Sequence, residues 1–118
     1  MSDREKPRIL CVSRSAVQLR EMRNAFSTSQ YEVLLASTPE QAVAVCINNR
    51  VAAVVLDSEF LTEAGWSAAQ TFKMVDPHLP VMLVLEGAAG SVPSGVDAVA
   101  AGPSHILPKM KGLLKRAG

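Results

Sequence analysis

The chain has 118 residues and a mass of 12.6 kDa, which suffices for one domain with a buried core but not for two. Apolar residues make up 48% of the sequence and charged residues 19%, and no apolar stretch approaches the roughly 20 residues of a membrane span. The net charge of +1 argues against a dedicated nucleic-acid binder. We therefore expect a globular domain that binds neither membranes nor nucleic acids.

The placement of charged residues and cysteines narrows the expected location of the protein and the kinds of site it can contain. The near-neutral total conceals a net charge of +3 over residues 1–31, −6 over 32–100 and +4 over 101–118. Residues 1–8 are charged and polar where a signal peptide would become apolar, so we expect a cytoplasmic protein. Cys11 and Cys46 lack the spacing of a zinc site or a redox pair, which predicts reduced, buried thiols.

The first half of the chain alternates between strand and helix patterns. Residues 8–12 form a short apolar run, and the apolar spacing after it predicts a helix that Ser15 and Gln18 start with a capping box. Residues 31–36 are rich in strand formers, and the following Thr38-Pro39-Glu40-Gln41 has the pattern of a helix start. The buried stripe predicted for this second helix is Ala42, Val45, Cys46 and Asn49.

The second half continues the alternation. Residues 51–56 and 81–85 are apolar at every position, which is typical of central strands covered on both faces. Residues 63–75 between them predict a third helix, and 96–101 a fifth strand. The last helix has an apolar side and an outward basic side, the latter formed by Lys109, Lys111, Lys115 and Arg116.

Strands that alternate with helices predict a parallel sheet covered on both faces. Ligands of such folds bind beyond the carboxyl ends of the strands, so the residues that follow each strand are the candidate site. They are Ser13, Arg14, Ser15, Asp57, Ser58, Glu59, Leu85, Glu86, Gly102 and Pro103.

The order and spacing of three motifs resemble a response-regulator receiver domain, from Arg8 to Arg116. V-V-L-D ends at Asp57 with Gly65 eight residues later, L-P-V-M-L-V-L resembles the family's fourth strand, and G-V-D-A-V-A-A-G-P its fifth strand and turn. The resemblance implies a single flavodoxin-like α/β domain, residues 8–116, after a flexible segment of residues 1–7. It also implies a five-stranded parallel sheet in the order 2-1-3-4-5 with helices on both faces.

Most of the family's functional residues are replaced in this sequence. The resemblance places the phosphoacceptor at Asp57, but Ser13 and Arg14 stand where the family has the two acidic residues that hold Mg²⁺. Leu85 replaces the switch hydroxyl, Gly102 the lysine and Val99 the aromatic residue. The resemblance thus implies a degenerate receiver, or pseudo-receiver, with no catalytic residue and no cofactor, although the family uses Mg²⁺.

The residues at this edge leave several roles open. Our hypothesis is that the Arg14 guanidinium lies over Asp57 in place of a metal ion, the alternative being an arginine that points into solvent. Glu59 and Glu86 could supply oxygens to a hard cation. Asp57 itself could simply end its strand and cap the next loop.

We expect a bacterial signalling module of a two-component phosphorelay, not an enzyme, that acts as a phosphorylation-independent interaction domain. Its expected partner is a protein, either a histidine kinase or an output protein, that contacts the basic side of the last helix; a homodimer is a further candidate. One alternative is a conventional receiver that a histidine kinase phosphorylates weakly at Asp57. The other is a small pocket for an anion or a flavin phosphate at Ser13, Arg14 and Ser15.

Overall fold

The structure is a computed structural model that describes residues 6–27, 30–57, 71–84 and 96–117. Several predicted features lie outside these residues. They are most of the N-terminal segment 1–7, Gly65, the third helix before residue 71, and the site residues Ser58, Glu59, Leu85 and Glu86.

The described strands form the predicted sheet. They are β1 (Arg8–Val12), β2 (Glu32–Ala36), β3 (Ala53–Leu56), β4 (Val81–Val84) and β5 (Ala98–Ala100). All neighbouring pairs are parallel, and the order is β2-β1-β3-β4-β5, as the sequence predicted. The strands begin up to two residues later than predicted, and β5 also ends at Ala100 rather than at residue 101.

The helices are α1 (Ala16–Ala25), α2 (Pro39–Asn48), α3, of which residues 71–75 are described, and α4 (Ile106–Ala117). A short 3₁₀ turn, Pro103–His105, leads into α4. No helix in the described part of the chain is both long enough and apolar enough to cross a membrane.

Side-chain caps fix the starts of α1 and α2, as the sequence predicted. Ser15 Oγ accepts a hydrogen bond from Gln18 N at 3.3 Å, and Thr38 Oγ1 accepts one from Gln41 N at 3.1 Å. These bonds satisfy backbone donors that the first helical turn leaves unpaired. The predicted buried position of Asn49 is wrong: α2 has ended there, and Asn49 is an exposed C-cap whose Nδ2 donates to Val45 O at 3.1 Å.

The sheet separates two apolar cores. On one face, α1 and α4 pack through Met22, Phe26, Ile106 and Met110 against Ile9, Cys11, Val55 and other inward residues. On the other face, α2 and α3 pack through Ala42 and Phe72 against Leu10, Val12, Val54, Leu56 and their neighbours. Every residue of β3 and β4 is therefore buried, which explains why their sequences are apolar without alternation.

An ion pair joins α3 to the starts of β4 and β5. Lys73 Nζ lies 2.6 Å from Asp97 Oδ2 and donates to Leu79 O at 2.6 Å. The same carboxylate oxygen accepts from Val81 N at 2.8 Å. Asp97 thereby pairs the first backbone donor of β4 and holds the end of α3 against the sheet.

Both cysteines are reduced, as the sequence predicted, and burial makes them poor acids. Cys11 is buried in β1 as predicted, whereas the predicted burial of Cys46 is only partly correct, because this residue is half-buried in α2. Burial raises the pKa of Cys11 from its ordinary value of 9.0 to about 12 and that of Cys46 to about 11. Because the thiolate is the reactive form, neither group is a nucleophile at neutral pH.

The Cys11 pKa predicts a loss of stability in alkali. Between pH 9 and pH 12 the unfolded thiol releases its proton while the folded one keeps it, so the free energy of unfolding falls as pH rises. We expect urea unfolding to show a drop of about 2 kcal/mol from this group between about pH 8 and about pH 10.5. Cys11→Ala should lose this part of the pH dependence; an unchanged difference between the two pH values would contradict the assignment.

Candidate functional site

The sheet brings the ends of β1 and β3 together. Val12 is paired with Leu56 in the parallel register, and Asp57 N donates to Val12 O at 3.1 Å. The next side chains along the two strands, Ser13 and Asp57, therefore meet beyond the carboxyl edge. Both are buried, with Ser13 fully inaccessible and Asp57 5% exposed.

A hydrogen bond links these two side chains directly. Ser13 Oγ donates to Asp57 Oδ2 at 2.5 Å, the short distance expected for a hydroxyl on a carboxylate. The Ser13 oxygen in turn accepts from Ser15 N at 3.0 Å, which leaves its proton for Asp57. Ser13 N donates to Ala36 O at 3.1 Å, so the backbone on both sides of the hydroxyl is fixed.

The serine contact is the functional feature that the sequence analysis missed. The sequence suggests Arg14 as the charge partner of Asp57 and predicts no partner for Ser13. The available signal was register, because Ser13 and Asp57 each follow a buried apolar strand and those strands are neighbours in the predicted order. Arg14 itself is exposed at the turn before α1, and the placement of its guanidinium over Asp57 stays a prediction.

The two described positions of the family's switch carry no polar side chain. Val99 is partly buried and packs against the core on the α2–α3 face. Gly102 is buried and has φ of +137°, a backbone conformation that residues with a Cβ rarely adopt. A Cβ built on Gly102 would meet no atom within 4 Å, so the backbone conformation and not the available space disfavours a lysine there.

The described residues do not fit a magnesium site of the receiver type. No group of three or more His, Cys, Asp or Glu side chains in the described ranges is placed to hold a metal ion. Asp57 is the single carboxylate that these ranges place beyond β1 and β3, and one of its oxygens accepts from Ser13. Magnesium prefers carboxylate and water oxygens, whereas positions 13 and 14 offer a hydroxyl and a guanidinium.

Comparison with solved structures defines the fold class. A CheY-like receiver domain from Methanospirillum hungatei JF-1 superimposes with a TM-score of 0.81 at 21% identity, over 96% of this chain and 97% of that one. The signal receiver domain of an HD-domain-containing protein from Pseudomonas fluorescens Pf-5 gives 0.80 at 16% identity, over 95% and 89%. The Vibrio cholerae chemotaxis regulator CheY4 gives 0.77 at 15% identity, over 92% and 99%.

These similarities establish the receiver fold. The chain is an α/β protein with the CheY-like, flavodoxin-like architecture, and the resemblance inferred from its sequence is confirmed at the level of the fold. No protein-family model matches the sequence, and no curated protein matches it. The identities to these solved structures are 21%, 16% and 15%, so the similarity is one of fold.

The Ser13–Asp57 hydrogen bond predicts strong energetic coupling between the two residues. Ser13→Ala would remove the hydroxyl that donates to the buried Asp57 carboxylate, so we expect the free energy of unfolding to fall by about 1–3 kcal/mol in urea titrations. In an Asp57→Asn background the same substitution should cost less, because the acceptor there is a neutral amide oxygen rather than a charged carboxylate. Additive losses in the double variant would contradict the coupling.

Proposed function

We propose that the chain is a receiver-like signalling domain that binds a protein partner constitutively, without phosphorylation of Asp57, and catalyses no reaction of its own. The observation that carries the proposal is the 2.5 Å hydrogen bond from Ser13 Oγ to a buried Asp57. A phosphoacceptor must present a carboxylate oxygen to the donor, whereas here one oxygen already accepts from a fixed hydroxyl.

Electrostatics supports the same proposal. Transfer of a phosphoryl group to a carboxylate brings two anions together, and the repulsion has to be offset by a cation and by positioned donors. The described residues provide Ser13 as a donor and Arg14 as a cation nearby, but not the pair of acids that would bind a divalent ion. The site thus stabilises the unmodified Asp57 carboxylate rather than a phosphorylated Asp57.

The residues at the switch positions support a partner-binding surface that does not depend on modification of Asp57. A modification at Asp57 changes the fold only if the modified and unmodified residues make different contacts in two conformations. Val99 and Gly102 offer no hydroxyl, ammonium or aromatic group that could contact an added phosphoryl group. The partner would consequently meet the same protein surface at all times.

We assign the partner surface to the basic side of α4. Lys109, Lys111 and Lys115 are exposed, while Ile106, Met110 and Leu113 bury the other side of the helix in the core. The exposed lysines form a positively charged strip that suits an acidic protein surface. In this proposal the domain is a cytoplasmic component of a two-component pathway.

Treatment with acetyl phosphate and Mg²⁺ tests the absence of phosphorylation. We expect the intact mass of the wild-type chain to remain unchanged at saturating donor. Ser13→Asp combined with Arg14→Asp restores two acids and removes the hydroxyl donor, so this variant should gain Mg²⁺-dependent thermal stabilisation and a measurable phosphorylated fraction. A single phosphoryl adduct on the wild-type chain that disappears in Asp57→Asn would refute the proposal and support a conventional receiver.

Charge reversal on α4 tests the partner surface. We expect K109E/K111E to lose a partner that the wild-type chain and Asp57→Asn both retain in pull-downs from source lysate. R20E/R23E is the matched control, because it reverses two exposed charges on α1 and should retain the partner. Retention by K109E/K111E, or loss in Asp57→Asn, would contradict constitutive binding through α4.

A further inference from the structure

The outer side of α2 and α3 carries an exposed apolar surface that the proposed function does not use. Among the described residues, the exposed large apolar side chains are Val17, Leu35, Ile47, Met74 and Val75. Three of these five lie on α2 and α3, and Met74 is 83% and Ile47 65% exposed. A concentration of exposed apolar side chains on one face marks an interaction surface rather than ordinary solvated surface.

A cavity lies where α2 and α3 end on this face. Its volume is about 250 Å³, and its apolar lining consists of Cys46, Val51, Val75 and Leu79. The polar residues of the same lining are Asn49, Arg50 and Asp76. The two helices that end at this cavity are also the helices that carry the exposed side chains of Ile47 and Met74.

The side chains of the two charged residues that line the cavity make few polar contacts within the chain. Arg50 is exposed and makes no hydrogen bond or ion pair in the described part of the structure. The Asp76 carboxylate accepts one hydrogen bond, from His78 N to Oδ1 at 3.0 Å within its own turn. Because the cavity carries one cation and one anion, it does not select a partner of either net charge. A second copy of this surface, rotated by 180°, places its anion opposite the cation and its cation opposite the anion.

We propose that this face, formed by Ile47, Arg50, Met74, Val75 and Asp76, is the interface of a homodimer with two-fold symmetry. The second copy is the occupant: its Asp76 lies opposite Arg50 of the first, and the reverse pair forms across the axis. Ile47 and Met74 of both copies supply the apolar contact around the cavities. The candidate site and α4 remain outside this interface, so dimerisation is independent of the proposed function.

Sedimentation velocity of the 118-residue chain over a wide concentration range tests the proposal. The wild-type chain should shift from monomer to dimer as its concentration rises. R50E and D76R each place like charges opposite one another at two symmetric positions and should each raise the dissociation constant about tenfold or more. The double variant R50E/D76R exchanges the charges and should return to within about threefold of wild type.

Apolar variants complete the test. M74K should abolish the dimer over the measured range, because it places a solvated charge in the apolar contact. V17K is the matched control, since Val17 is 60% exposed on α1 and that helix packs on the opposite face of the sheet. A wild-type chain that stays monomeric at every concentration, a double variant without rescue, or a V17K effect as large as that of M74K would each overturn the interface.

Discussion

The hydrogen bond from Ser13 to Asp57 joins the only two polar side chains that are buried in the described part of the chain. Every other buried side chain in those ranges is apolar, because β1, β3 and β4 are covered by helices on both faces. Polar chemistry is thereby confined to the ends of the strands. No described buried side-chain nitrogen or oxygen lacks a partner, so the fold tolerates this pair because its polar atoms are hydrogen-bonded.

The energetic cost of burying a carboxylate explains why the hydrogen bond between Ser13 and Asp57 stabilises the fold. A carboxylate taken out of water must recover its lost solvation from donors, and a neighbouring hydroxyl held by the backbone is such a donor. Ser15 N holds the Ser13 oxygen, and Ser15 Oγ in turn caps α1, so the contact at Asp57 is continuous with the start of a helix. Disturbing Asp57 would therefore also disturb the entry into α1.

The sequence predicted the fold well because the relevant signals are local. The unbroken apolar runs at β3 and β4 required burial on both faces, and Thr38 with Gln41 defined the start of α2 to the residue. Asn49 was wrongly predicted to be buried because the helical spacing of buried positions was extended one residue beyond the end of α2. The order of the strands came from the family resemblance rather than from local pattern.

The site was less predictable because it depends on contacts between distant segments. Ser13 and Asp57 are 44 positions apart, and only the register of β1 against β3 brings them within hydrogen-bonding distance. Arg14 carries a full charge and is the obvious partner for a carboxylate from residue type alone, whereas the Ser13 hydroxyl beside it is neutral. The conformation of Gly102 likewise depends on the turn between β5 and the 3₁₀ segment, which no residue pattern specified in advance.

The two surfaces that we assign to binding lie on opposite faces of the sheet, and Asp57 lies at its edge. The α4 face is rich in lysine, whereas the face of α2 and α3 presents apolar side chains with one unpaired arginine. Coupling between them would require an element with two packed arrangements that both surfaces favour differently. The central strands β3 and β4 between them are fully buried, and the two switch positions in the described ranges are a valine and a glycine. Binding at one face should therefore leave affinity at the other unchanged, so the domain can join a second copy and a different partner at the same time.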